Sequence, residues 1–127
     1  MDLRVKTSGS KGMQLYAIPP DPMPYDGPNG TTALAKRVAE GLEASLPALV
    51  VSKQDKSLRD KKVLIDWSQN VSAKTTVCAY SLRARSDATV STPVTWDELE
   101  MASTTGALRF TYDEVLVRVE SMGDLFA

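Results

Sequence analysis

The chain has 127 residues, 43% hydrophobic and 24% charged, a composition that fits one soluble globular domain and excludes a disordered chain. Fifteen Lys/Arg against sixteen Asp/Glu give a net charge of −1, and the absence of histidine excludes Ser–His and Cys–His nucleophiles, imidazole zinc sites and histidine general bases. No apolar run approaches the ~20 residues of a membrane helix, no signal-peptide pattern opens the chain, and the single Cys78 cannot form an internal disulfide, so a reducing cytoplasm is the expected setting.

Leu3 and Val5 alternate with Arg4 and Lys6, which predicts a strand. Thr7-Ser8-Gly9-Ser10-Lys11-Gly12 reads as a turn. The second strand, Met13 to Ile18, puts Met13, Leu15 and Ala17 on one face and Gln14 and Tyr16 on the other. Residues 19–30, rich in Pro and Gly, read as a loop. A helix is predicted from about Thr32 to Leu46, with Leu34, Val38, Leu42 and Leu46 repeating every four. Thr31 or Thr32 can cap it and Pro47 stops it.

Leu49-Val50-Val51 is a short strand. It leads into a basic loop in which Lys53, Lys56, Arg59, Lys61 and Lys62 face only Asp55 and Asp60. Lys62 to Trp67 is the next expected strand, carrying one carboxylate, Asp66. After a turn at 70–74, Thr75 to Tyr80 reads as another strand, and Val90 to Val94, interrupted by Pro93, as an edge segment. Thr95-Trp96-Asp97-Glu98 and Thr111-Tyr112-Asp113-Glu114 fit capping boxes. The first starts a helical turn to about Met101. The second starts a helix whose Tyr112, Val115, Leu116, Val119 and Met122 share a face and which Gly123 ends. Leu108 to Phe110 is a short extended piece. The order predicts an α+β fold, a mixed or antiparallel sheet packed against helices, and excludes a regular βαβ alternation.

Two places could carry chemistry. Ser8-Gly9-Ser10-Lys11-Gly12 has small residues that admit an anion to backbone N–H groups, plus two hydroxyls and an ammonium. It lacks Walker A spacing, and since Gly/Ser turns are common it reads more readily as a solvated hairpin tip. Asp66 on a strand needs a partner, either a metal ion or an ion pair with Arg59, Lys62 or Arg83. One Asp is too few for an all-protein magnesium site. The basic loop is either a solvated connection or a nucleic-acid patch that Lys74, Arg83 and Arg85 extend, with Trp67 as its only nearby aromatic. Cys78 is expected to be a small buried strand residue.

Leu3 to Tyr16, Lys56 to Arg59, Val63 to Asn70, Thr75-Thr76 and Tyr80 to Arg83, with Thr92-Pro93-Val94-Thr95-Trp96, Tyr112-Asp113-Glu114-Val115-Leu116 and Gly123-Asp124-Leu125 in the same order, resemble the polymerase domain of bacterial DNA ligase D, in the archaeo-eukaryotic primase superfamily. The resemblance implies part of an RRM-like primase-polymerase core that adds nucleotides, preferentially ribonucleotides, to DNA 3′ ends during non-homologous end joining. It implies Mn²⁺ or Mg²⁺ as cofactor. Its partners would be a nucleoside triphosphate, DNA ends, Ku and a ligase domain, in a nucleoid-associated cytoplasmic setting without a membrane. It further implies triphosphate binding by Ser8, Ser10, Lys11, Gln14, Arg59 and Gln69, a metal-bound catalytic Asp66, and Arg83 near the reacting end. Many superfamily members have His where Gln14 stands. The Asp-x-Asp strand that supplies most of the family's metal site is not in this chain. Residues 1–127 are therefore expected to be the C-terminal portion of such a domain, inactive without the part bearing that motif. The alternatives are a non-catalytic nucleotide- or DNA-binding module on the same scaffold, and a plain α+β domain.

Overall fold

The computed structural model describes residues 2–105 and 108–127. The chain divides into two compact units. The first joins Met1–Pro20 to Val77–Ala127, and the second is the intervening Asp21–Thr76.

In the first unit, β1 (Asp2–Thr7) and β2 (Met13–Ile18) form the expected antiparallel hairpin, with Lys6 opposite Gln14 and Thr7 opposite Met13. β1 also pairs with the two-residue β5 (Pro93–Val94), so the sheet order is β2-β1-β5. Pro93 sits on an edge strand, the place where a missing N–H is tolerated. Two helices follow, α2 (Trp96–Thr105) and α3 (Tyr112–Met122). Both begin at the expected capping boxes. The backbone N–H of Thr95 donates to Glu98 at 2.8 Å and that of Thr111 to Glu114 at 2.8 Å. α2 runs past Met101, and α3 ends at Gly123 with φ of 73°. Val5, Val90, Val94 and Val115 form the apolar core, but Lys6, Thr7, Thr89, Ser91 and Thr92 are equally buried. The two apolar faces read from sequence are largely open: Met13 and Leu15 on β2, and Tyr112 and Leu116 on α3, are exposed.

The second unit holds α1 (Thr31–Ser45) and a parallel pair, β3 (Val50–Val51) with β4 (Val63–Leu64). Neither threonine side chain caps α1. Gly30 is the N-cap, and the Thr31 and Thr32 amides donate to the carbonyls of Pro24 and Tyr25 at 2.8 and 3.2 Å. The proline-rich loop thus satisfies the helix terminus from its own backbone. A Cβ on Gly30 would stand 2.6 Å from the Tyr25 and Asp26 carbonyls, so only glycine fits there. Ala39 is fully buried while Val38, Leu42 and Leu46 are exposed, so α1 packs through its small residues rather than through its leucine stripe.

Two expected strands are not formed. Residues 75–80 have no strand partner and end in a turn at Tyr80, whose φ is +64°. Cys78 accordingly is exposed rather than buried in a strand. The strand expected from Lys62 to Trp67 stops after Leu64, and Trp67–Gln69 form a 3₁₀ turn instead.

Candidate functional site

The residues read as a site fall in both units: Ser8, Ser10, Lys11, Gln14 and Arg83 in the first, Arg59, Asp66 and Gln69 in the second.

The turn of the first unit is stiff. Ser8 Oγ accepts from the backbone N–H groups of Ser10 at 3.1 Å and Gly12 at 3.2 Å, and Ser8 N donates to Gly12 O at 2.9 Å. Three of the turn's backbone amides, those of Ser8, Ser10 and Gly12, are therefore already used. The Lys11 ammonium and the Arg83 guanidinium remain without a hydrogen bond or ion pair among the described residues. Gly9 has φ of +69° and is buried beneath Arg83: a Cβ there would lie 2.6 Å from Arg83 Cγ. Arg85 Nη1 donates to Ser10 Oγ at 3.2 Å, so Arg85 belongs to this turn rather than to the basic loop. The hydroxyl of Thr89 donates to Gly9 O. The polar core explains how the turn is held. Thr7 N donates to Thr92 O at 2.8 Å, Thr92 N to Thr7 Oγ1 at 3.0 Å, and Ser91 Oγ to Thr7 O at 2.8 Å.

Beneath the turn lies Lys6, whose side chain is completely buried. Its Nζ donates to Gln14 Oε1 at 2.5 Å, Val77 O at 2.8 Å and Ser91 Oγ at 2.6 Å. Burial pushes its pKa down; the field of Cys78 opposes that and Arg83 adds to it. Lys6, Lys11, Arg83 and Arg85 thus gather around one five-residue turn; Arg85 is also paired with Asp87 at 3.5 Å, and the excess of positive charge that remains suits a polyanion. Sequence reading treated Lys6 only as an alternating strand residue, and no local pattern marks it as buried.

In the second unit Asp66 is not borne on a strand. Its Oδ1 accepts from the Ser68 N–H at 3.1 Å and hydroxyl at 2.7 Å, capping the 3₁₀ turn, and Gln69 Nε2 donates to its Oδ2 at 3.3 Å. Burial pushes the carboxyl pKa up, but the bonds from Ser68 and Gln69 and the charge of Lys74 outweigh it and hold it below the usual carboxylate range. Asp66 makes no salt bridge among the described residues; Lys74 reaches it only through Ser68 Oγ, at 2.9 Å. Arg59 turns back onto its own loop, donating from Nη2 to Gln54 Oε1 at 2.8 Å, while its Nε is buried with no acceptor. The lysines of the loop are solvated. Trp67 is committed to the fold, donating from Nε1 to Ser52 O at 3.1 Å and lying under Lys36 at 5.3 Å, which removes the aromatic a nucleic-acid patch here would need.

A divalent ion does not fit these residues alone. Among the described residues no group of three or more Asp, Glu, Cys or His comes together, and one exposed, internally bonded carboxylate falls short of the donor set such an ion takes.

A family profile described as LigD, primase-polymerase domain, matches residues 1–126. The chain is similar to the multifunctional non-homologous end joining protein LigD of Mycobacterium bovis, 52% identical over 123 residues, and to that of Mycolicibacterium smegmatis, 46% identical over 121. The bifunctional LigD of Bacillus subtilis is 34% identical over 119 residues. These matches cover 93–95% of this chain but only 15–19% of the relatives. A solved structure, the polymerase domain of Mycobacterium tuberculosis ligase D in complex with DNA, superposes with a TM-score of 0.89 at 48% identity, over 97% of this chain and 41% of that one.

Proposed function

From membership of the LigD primase-polymerase domain family, to which this chain belongs, we propose that residues 1–127 are the C-terminal portion of an end-joining polymerase/primase domain and hold the triphosphate of an incoming nucleotide. The observation that carries the reading is the stiff Ser8–Gly12 turn with Arg83 laid over Gly9 and Arg85 on Ser10. Ser8, Ser10, Lys11 and Gln14 would contact the phosphates, and Arg83 would lie near the reacting end. Within the second unit Arg59 Nε is buried without an acceptor and Gln69 Nε2 donates to Asp66 Oδ2, so their triphosphate roles rest on the family resemblance alone. Cations around a leaving pyrophosphate stabilise the charge that develops in phosphoryl transfer. Asp66 would lend one carboxylate towards a Mn²⁺ or Mg²⁺ ion, the others coming from an Asp-x-Asp segment outside this chain. DNA ends, Ku and a ligase domain are the partners this reading assigns to the whole protein.

The test is a titration with a nucleoside triphosphate followed by NMR, then primer extension with and without a separate polypeptide bearing the Asp-x-Asp segment. Shifts at Ser8–Gln14, no extension by the chain alone, and extension restored by the added segment are expected. Extension by the chain alone, abolished by Asp66→Ala, would overturn the incompleteness, and an unmoved Ser8–Gln14 spectrum at saturating nucleotide would overturn the triphosphate site. The lack of a carboxylate cluster among the described residues favours one second reading, a non-catalytic nucleotide- or DNA-binding module. Binding without restored extension would select it.

A further inference from the structure

Lys6 and Gln14 face each other across β1 and β2, in register, directly below the Ser8–Gly12 turn. An ammonium group has three donors and no acceptor, so the Gln14 atom that meets it must be the amide oxygen. The Gln14 nitrogen is thereby placed on the other branch of the amide, and it has no acceptor among the described residues. Lys6 itself is saturated: its three donors go to Gln14 Oε1, Val77 O and Ser91 Oγ, all neutral. Ser91 in turn spends its only proton on Thr7 O, which leaves its oxygen free to accept. No carboxylate offsets the buried charge. A residue kept only for packing would be cheaper as an apolar one, since a buried unpaired ammonium is costly.

We propose that Lys6 is a positioning residue for the triphosphate site: it locks the Gln14 amide with its NH₂ presented to phosphate and sets an unneutralised positive charge under the turn. This rests on the triphosphate reading above. It also accounts for a neutral glutamine among cations, since the charge is supplied one strand away and the glutamine relays it as an oriented donor. A histidine in that position would meet Lys6 with a ring nitrogen lone pair and offer its other N–H in the same way.

The probe is inorganic tripolyphosphate, added to the intact chain with the Gln14 side-chain amide and the turn amides followed by ¹⁵N NMR. The Gln14 NH₂ is expected to be ordered in the free protein and to shift together with Ser8–Lys11. Turn amides that shift while the Gln14 NH₂ stays put would overturn this proposal and leave the triphosphate site standing. No shift anywhere would overturn both. Gln14→Glu keeps an oxygen acceptor for Lys6 but removes the outward donor. Affinity should then fall by about tenfold or more with the fold intact, the new carboxylate also repelling the phosphates; unchanged affinity would overturn the proposal. Lys6→Met should free the Gln14 amide and weaken binding similarly. If that variant does not fold, the wild-type titration and Gln14→Glu decide.

Discussion

Arg118 grips Glu98 with both arms of its guanidinium, Nη2 reaching Oε2 at 3.0 Å while Nη1 meets Oε1, and so ties α3 to the first turn of α2. Glu98 is at the same time the capping residue that receives the Thr95 N–H. The bonds from Arg118 hold its carboxyl below the usual range, burial opposes them, and the Thr95 N–H and the Arg118 charge lower it further. A depressed folded-state pKa contributes stability that is present above the unfolded value and is lost as pH falls through the folded one. Glu98→Gln should therefore cost about 1.5–3 kcal/mol at neutral pH. The gap from wild type should close as the pH drops below about 4, read from urea unfolding at a series of pH values.

At the other end of the scale, Tyr80 donates to Asp124 Oδ1 at 2.6 Å and accepts from Leu125 N at 3.1 Å, pinning the C-terminal segment. Burial, then the bond to Asp124 and its charge, push the phenol up to about 12. The raised value contributes stability that is complete below the unfolded pKa and disappears as pH rises through the folded one. NMR of the Tyr80 ring should show it ionising well above the ordinary tyrosine value of about 10. Tyr80→Phe should abolish that high-pH transition and cost about 1 kcal/mol.

Gly9→Ala should damage both the fold and phosphate binding. The positive φ alone costs an L-residue about 1–2 kcal/mol, and the new methyl would collide with Arg83 Cγ, 2.6 Å away, and crowd the Val90 backbone at 3.2 Å. Gly27→Ala, where φ is +88° but nothing lies within 4 Å, should show the strain without the loss of tripolyphosphate binding. Equal binding by the two variants would separate Arg83 from the site.

Asp66 offers a clean division of roles. As a cap it should tolerate Asn, with thermal stability within about 0.5 kcal/mol of wild type, while Asp66→Ala should lose about 0.5–2 kcal/mol. As a metal-bound carboxylate it should not tolerate Asn: extension by the reconstituted domain should be lost in both variants. Full activity of Asp66→Asn would reduce the residue to its capping role.

Capping boxes, the hairpin and the long helix could be read directly, because each is encoded within a few neighbouring residues. The failures share a cause. Val63, Ile65 and Trp67 alternate as a strand should, yet Ser68 two residues beyond Asp66 offers the carboxylate a local bond that bends the chain. Thr75 to Tyr80 has strand-forming residues but no strand to pair with. At the site, the turn and its family resemblance were visible, but Arg83, read as a partner of Asp66 or an extension of the basic loop, lies over Gly9 instead. The burial of Lys6 was not visible, because Ser91, which makes it tolerable, lies 85 residues away in sequence. The exposure of Met13 and Leu15 also escapes periodicity, which tells that a face is apolar but not what covers it.

The interrupted course of the first unit has a consequence for synthesis on the ribosome. Asp21–Thr76 is continuous, so its internal contacts can all form once those residues have emerged. β1 emerges first but must wait for β5 and for the Ser91 hydroxyl that accepts from Lys6. The second unit should therefore be protease-resistant in nascent chains arrested near residue 110, and the hairpin should gain protection only after the last helix is released. The Ser8–Gly12 turn would then be among the last parts of this chain to settle.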